Sequence, residues 1–336
     1  MAAGIRQPIK HLICRKSKFY KKEGKVMDIR NILIVSPMYR ELKLLIEKEV
    51  TDKSFRFISE GELTQDNLSW ADALVSFNLK ADYDYSTVKW VHSLGAGVDR
   101  FLFKKDWNEE VLLTRTICSF GQRIAEYCLS YFLKDLQFHD TFREQKQQKK
   151  WEQRTPKLIG EQKVLVYGTG EIGQMIAKVF SGLGVDVFGV SLSGKQTAYF
   201  KEVMKLEDQF SQISELNYII NTLPLTEQTE KLFDSSIFNK LSDVGFINVG
   251  RGASVDEGAL LQALNENSVR FAVLDVFEHE PLPGNNPLWS HPRVQITPHI
   301  SAVTTPNEGA ACFLETLKNI DENKLLKNRV DTKKGY

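Results

Sequence analysis

A chain of 336 residues, 42% apolar and 26% charged, has an ordinary globular composition and exceeds what one hydrophobic core usually serves, so two domains are expected. No apolar run approaches bilayer-spanning length, and Cys14, Cys118, Cys128 and Cys312 form neither a CxxC pair nor a regular spacing. Membrane proteins, disulfide scaffolds and metal sites are thereby set aside, and a reducing cytoplasm fits best. The net charge of +1 conceals nine Lys or Arg against two Asp or Glu in residues 1–30.

Residues 1–27 therefore read as a basic N-terminal extension outside the core, with Met27 as an alternative start. Nucleic-acid binding by this arm is the rival reading and is not adopted. From Asn31, β-branched runs alternate with helical patterns, and strands are predicted at 31–36, 54–58, 73–76 and 89–93. One long amphipathic helix is predicted over about 121–143, with Ile124, Cys128, Leu129, Phe132, Leu133 and Leu136 at helical spacing. A polar, basic connection follows at 144–157, with Trp151 as its one large apolar anchor. Further strands are predicted at 162–167, 185–190, 217–220, 245–248, 271–274 and 294–297. Their nearly continuous apolar character suits a parallel sheet covered on both faces. The last helix, about 306–325, starts beyond that sheet and is expected to pack back on the first domain. The fold class is α/β in two domains, the second a doubly wound parallel-sheet (Rossmann) domain.

The strand ending at Tyr167 runs directly into Gly168-Thr169-Gly170-Glu171-Ile172-Gly173 and then into a helical pattern. In that context the glycines let the backbone approach a pyrophosphate held at the helix N-terminus. The next strand of such a unit ordinarily ends in an acidic residue that binds the ribose hydroxyl of NAD; this one ends in Ser191. The following loop offers Ser193 and Lys195 and no carboxylate, so a 2′-phosphate is acceptable there. NADP(H) is the expected cofactor and NAD(H) the alternative. Lys195 also reads as an ordinary surface lysine, and no Arg is present as a stronger clamp.

Arg251, Glu280 and His299 each follow a predicted strand and so share the carboxyl edge of the sheet, where ligands bind in open α/β folds. A guanidinium matches a carboxylate in two-point geometry and polarises an adjacent ketone. Imidazolium is a competent acid near neutrality, and a carboxylate partner fixes the ring and favours its charged form. Reduction of a 2-oxo acid needs both functions. Asp275 ends its own strand and reads either as a cap on a nicotinamide carboxamide, the preferred reading, or as the closure of a turn. His11, His92, His139, His279 and His291 lack this context and read as structural or exposed.

In order and spacing, Gly168 to Gly173, Asn248-Val249-Gly250-Arg251-Gly252, Leu274-Asp275-Val276-Phe277-Glu278-His279-Glu280-Pro281 and Thr297-Pro298-His299 resemble the D-isomer-specific 2-hydroxyacid dehydrogenase family. The resemblance runs from about Asp28 to the C-terminus. It is closest to the glyoxylate/hydroxypyruvate reductase branch through Leu94-Gly95-Ala96-Gly97-Val98-Asp99, Leu288-Trp289, His291-Pro292-Arg293 and Gly335-Tyr336. It implies that Arg251 binds and polarises substrate, that His299 is the acid/base with Glu280 as partner, and that backbone N–H groups at Ala96 and Gly97 hold the substrate carboxylate. Leu223 and Pro224 would line the cofactor cleft, joined by Val249 and Gly250. The implied architecture is a discontinuous flavodoxin-like substrate domain, 28–125 and 299–336, around a dinucleotide-binding domain, 126–298, in a homodimer. The loop Phe77-Asn78-Leu79 departs from the branch in lacking a Trp. A dehydrogenase for a larger D-2-hydroxy acid and a non-catalytic NAD(P)-sensing protein are the rival readings.

Overall fold

The alternating apolar runs pair into two separate, wholly parallel sheets. The computed structural model describes residues 27–77, 79, 83–209 and 216–336; residues 1–26 of the basic arm, with His11 and Cys14, and Asn78 lie outside the described residues. The first sheet contains β1 (Asn31–Val35), β2 (Ser54–Ile58), β3 (Ala73–Ser76), β4 (Trp90–Ser93) and β5 (Leu112–Arg115), ordered β2-β1-β3-β4-β5. Its helices are α1 (Tyr39–Ile46), α2 (Gln65–Trp70) and α3 (Asp99–Leu102). Alternate residues of β1 feed opposite cores: Leu33 and Val35 pack with Leu74 and Phe101, while Ile32 and Ile34 pack with Leu42, Ile46 and Trp90.

The second sheet contains β6 (Lys163–Tyr167), β7 (Asp186–Ser191), β8 (Glu202–Lys205), β9 (Tyr218–Asn221), β10 (Val244–Asn248), β11 (Val269–Leu274) and β12 (Val294–Ile296). The order is β12-β11-β10-β9-β6-β7-β8, so the winding reverses between β6 and β9 and opens a crevice at their carboxyl ends. Helix α4 (Phe120–Leu136) crosses onto this sheet, packing Ile124, Cys128 and Phe132 with Ile176, Ala177 and Phe180 of α6 (Glu171–Gly182). Further along the described chain come α7 (Ser235–Phe238), α8 (Glu257–Asn265) and α9 (Pro306–Asp321). Helix α9 returns to the first sheet, where Phe313 stacks on Trp90 with ring centroids 5.6 Å apart. Beyond it the chain pairs Arg329 antiparallel with Thr114 on β5.

Three expectations need correction. The single helix predicted over 121–143 is two: α4 stops at Leu136, Phe138 adopts a left-handed backbone with φ 53°, and α5 (His139–Gln148) follows. Trp151 is not an anchor among the described residues, being 95% exposed. Strands β5 and β8 had no counterpart in the sequence reading; β8 is an edge strand with two buried positions, and β5 is four residues long. Among the described residues no helix is long and apolar enough to cross a membrane, and no group of three His, Cys, Asp or Glu is placed to hold a metal ion.

Candidate active site

The turn after β10 is built by a buried polar network. Asn221 at the end of β9 donates to Asn248 Oδ1 (2.9 Å) and Ser254 Oγ (2.7 Å); Ser254 Oγ and Asn248 Nδ2 both donate to the carbonyl of Arg251. Asn221, Asn248 and Ser254 are essentially inaccessible, so every bond made here avoids an unsatisfied buried dipole and fixes where Arg251 leaves the backbone. The flanking glycines are required by packing. A Cβ on Gly250 would lie 2.7 Å from the Leu223 carbonyl oxygen, and one on Gly252 1.8 Å from the Phe277 carbonyl carbon. The Arg251 turn is thus pressed against the loop carrying Glu280.

Arg251 reaches across to the first sheet. Its Nε donates to Asp99 Oδ1 at 2.7 Å, its Nη1 donates to the carbonyl of Gly250 at 2.8 Å, and its Nη2 would collide with any Cβ on Gly97. Burial alone would lower the guanidinium pKa and raise that of the Asp99 carboxyl; their mutual attraction reverses both directions. In the sequence Asp99 stands out only as the last residue of the Leu94 to Asp99 motif, and nothing local there signals its pairing with Arg251. The N–H groups of Ala96 and Gly97 meet no protein acceptor among the described residues. The loop is held from below, where Ser93 Oγ donates to the carbonyls of Gly95 and Gly97. Beneath it His92 bonds Thr114 Oγ1, and burial pushes this histidine down to about 3, keeping it neutral.

Glu280 and His299, paired in the resemblance, are in contact, with His299 Nδ1 2.8 Å from Glu280 Oε2 and the Phe277 N–H donating to Glu280 Oε1 at 3.0 Å. Burial would raise the Glu280 carboxyl; the hydrogen bond and charge of His299, the Phe277 N–H and the charge of Arg251 hold it below its ordinary value. His299 has a left-handed backbone, φ 54°, a conformation that costs a non-glycine residue of order 1 kcal/mol. Asp275 offsets this: its carbonyl accepts from the His299 N–H, and its fully buried carboxylate accepts from Thr297 Oγ1 (2.6 Å), Ile300 N (2.8 Å) and Ser301 N (2.9 Å). These contacts correspond to the turn-closing alternative for Asp275. Tyr127 of α4 extends the chain of bonds by pairing its hydroxyl with Thr297 Oγ1 at 2.6 Å.

The glycine turn fits a pyrophosphate. Gly168 has φ 96°, Gly173 leaves only 1.8 Å between a would-be Cβ and the Gly168 carbonyl oxygen, and Gly170 faces open space at the N-terminus of α6. Thr169, Glu171 and Ile172 share this turn, while Leu223, Pro224, Val249 and Gly250 stand on the far side of the crevice between β6 and β9. At the end of β7 the Ser191 hydroxyl is buried with no hydrogen-bond partner, and Lys195 is exposed. The loop 191–195 has no carboxylate, but Glu202, Glu207 and Asp208 join Ser193 and Lys205 in lining the adjoining groove. Lys205 pairs with Glu207 at 3.1 Å. Sequence order hid these carboxylates because β8 was not foreseen.

The family model described as "D-isomer specific 2-hydroxyacid dehydrogenase, NAD binding domain" matches residues 129–301, half of the chain. The chain belongs to this family. A relative from Citrobacter koseri, called glyoxylate/hydroxypyruvate reductase A, is 33% identical over 257 residues, covering 74% of this dehydrogenase and 82% of the relative. A solved D-isomer specific 2-hydroxyacid dehydrogenase family protein from Aeromonas salmonicida is 30% identical with a TM-score of 0.79, covering 91% of this chain and all of that one. A D-isomer specific 2-hydroxyacid dehydrogenase from Xanthobacter autotrophicus Py2, solved with NADPH and MES, is 27% identical with a TM-score of 0.82, covering 92% of this chain and all of the other. The dehydrogenase therefore has the two-domain α/β architecture of its family, with an NAD(P)-binding domain.

Proposed function

We propose that this dehydrogenase reduces a short 2-oxo acid of the glyoxylate or hydroxypyruvate type, with NADPH preferred over NADH. The observation that carries the reading is the joint placement of Arg251, the Glu280–His299 pair and the free Ala96 and Gly97 N–H groups. The unsatisfied amides and the Arg251 fork hold the substrate carboxylate, and the guanidinium gathers the negative charge that develops on the ketone oxygen. Glu280 accepts from Nδ1–H of His299, which leaves Nε2–H to deliver a proton to that oxygen. Reduced nicotinamide, when bound, supplies the hydride to C2. The name of the Citrobacter koseri relative supports the substrate class, and the NADPH bound to the Xanthobacter autotrophicus structure supports the cofactor. Ser191 in place of an acidic residue supports the same preference, while Glu202, Glu207 and Asp208 weigh against a strict one.

The proposal divides the chain into a substrate-binding unit, 28–125 and 299–336, and a cofactor unit, 126–298, in line with sheet membership. A homodimer is part of the reading, supported by exposed apolar side chains on and after the α4–α5 arm: Leu133, Phe142, Trp151 and Leu158. The free thiols of Cys118, Cys128 and Cys312 accord with a reducing cytoplasm. The test follows NADPH and NADH absorbance with glyoxylate, hydroxypyruvate, pyruvate and a bulky aromatic 2-oxo acid, in wild type, Arg251→Ala and His299→Ala. Rapid NADPH oxidation by the short acids is expected, with kcat/KM reduced at least about a hundredfold in each variant. Preference for the bulky acid, or cofactor binding without turnover, would replace this reading with a larger-substrate dehydrogenase or a sensor.

A further inference from the structure

Arg115, the last residue of β5, has no assigned task in this site. Its backbone is pinned by Asn328, whose carbonyl accepts from the Arg115 N–H (3.0 Å) and whose Nδ2 donates to the Arg115 carbonyl (2.9 Å). Its side chain is half-buried and, among the described residues, makes one long hydrogen bond, Nη1 to the Ala96 carbonyl at 3.4 Å. Among the described residues no carboxylate lies within ion-pair distance of it. The other cationic groups here are matched: Arg251 by Asp99, His299 by Glu280. Arg115 stands at the carboxyl end of β5 with its guanidinium beside the Ala96 loop, and it feels the charges of Arg251 and of Glu171 on the glycine turn. Burial, opposed by Glu171 and assisted by Arg251, lowers its pKa, as expected for a desolvated cation lacking a counter-ion.

A 2-oxo monocarboxylate is already served by Arg251 and the Ala96 and Gly97 amides. A partly desolvated guanidinium left over beside the same loop retains donors open to a ligand. We propose that Arg115 is a specificity-determining residue, donating to an oxygen on the side of the ketone away from the first carboxylate, either the C3 hydroxyl of a 3-hydroxy-2-oxo acid or the second carboxylate of a short 2-oxo dicarboxylate. The inference rests on the substrate-site reading above and adds to it which short acids are favoured. A purely structural Arg115, propping the Ala96 carbonyl, would affect all substrates alike.

Hydroxypyruvate and pyruvate differ by that one hydroxyl, so the test compares their kcat/KM in wild type, Arg115→Leu, Arg115→Gln and Arg115→Lys, with melting temperature and NADPH affinity measured alongside. Wild type is expected to favour hydroxypyruvate. The Leu variant should lower the hydroxypyruvate-to-pyruvate ratio at least about tenfold, with pyruvate changed less than about threefold, because a site built to bond an oxygen discriminates strongly against its absence. Gln and Lys should restore part of the ratio, and oxaloacetate should follow hydroxypyruvate in wild type and respond to Lys more than to Gln. An unchanged ratio in Leu and Gln, or weakened NADPH binding in its place, overturns the proposal. Calorimetry with tartronate and D-lactate on the NADP⁺-loaded protein separates the two readings. If wild type turns over neither acid, the reductase reading fails, yet tighter tartronate binding that is abolished in the Leu variant and partly kept in the Gln variant would still uphold Arg115. Equal binding of the two would overturn it.

Discussion

Replacing Asp99 isolates the contact that joins the two sheets at the site. Its Oδ1 accepts from Arg251 Nε at 2.7 Å, and the two side chains are only 13% and 21% exposed. In Asp99→Leu the guanidinium keeps the Gly250 carbonyl but loses its counter-ion. Removing one partner of a fully buried ion pair costs about 3–5 kcal/mol, and a charge-assisted hydrogen bond about 1.5–3 kcal/mol. With a fifth of the Arg251 side chain reachable by water, about 2 kcal/mol is appropriate, or a melting temperature lower by roughly 3 °C in a protein of this size. Freed of Asp99, Arg251 should also lose its orientation, and each 1.4 kcal/mol so lost is about tenfold in kcat/KM. Asp99→Asn keeps an acceptor and should fall between. The Asp99 carboxyl is buried, which raises its pKa, but Arg251 holds it below the ordinary range, so the wild-type advantage is complete above about pH 4 and disappears as pH falls through the folded pKa. Thermal melts at pH 7 and steady-state kinetics decide the matter: an Asp99→Leu protein melting within 1 °C of wild type with kcat/KM within twofold would refute the reasoning.

The glycine turn separates ligand contact from packing. Gly170→Ala should melt near wild type while weakening NADPH at least about tenfold in a fluorescence titration, because its Cβ would occupy the open space a pyrophosphate approaches. Gly173→Ala should instead lower the melting temperature, since its Cβ meets the Gly168 carbonyl; the reverse pattern would mean the roles are misassigned. Ser191→Asp should move the NADPH-to-NADH ratio of kcat/KM towards NADH, and an unmoved ratio would place 2′-phosphate recognition elsewhere. For Glu280, whose carboxyl is held below its ordinary value, the difference in melting temperature between wild type and Glu280→Gln should be full at pH 6 and shrink as pH falls below about 4.5. A difference constant down to pH 3.5 would contradict that pairing.

The parts legible in the sequence are those whose cause is local. Gly168, Gly170 and Gly173 announce a turn between strand and helix, and Arg251, Glu280 and His299 follow apolar strands that had to end at one sheet edge. What escaped depends on partners far along the chain. Asp99 meets Arg251 across 152 positions, and Asn221 supports the Arg251 turn through Asn248 and Ser254. Arg115 gave no signal because its significance lies in lacking a counter-ion, a property of the surroundings alone. The break at Phe138 was invisible because no glycine or proline marks it and the polar residues that follow are themselves good helix formers. Trp151 was misjudged because the size of an apolar side chain does not say which surface covers it.

Helix α9 and the segment pairing with β5 have a bearing on how the protein is made. The face of the first sheet that carries Ile32, Ile34 and Trp90 is closed by Ala310, Phe313 and Leu317, which are translated only after the whole second sheet. On the ribosome the internal, continuous unit therefore has its full complement of residues first, while the earlier-made strands wait with one apolar flank open. Their dependence on such distant contacts makes the first sheet the slower half to form. A chain stalled near residue 305 would present that flank as a surface for aggregation or for a holding chaperone.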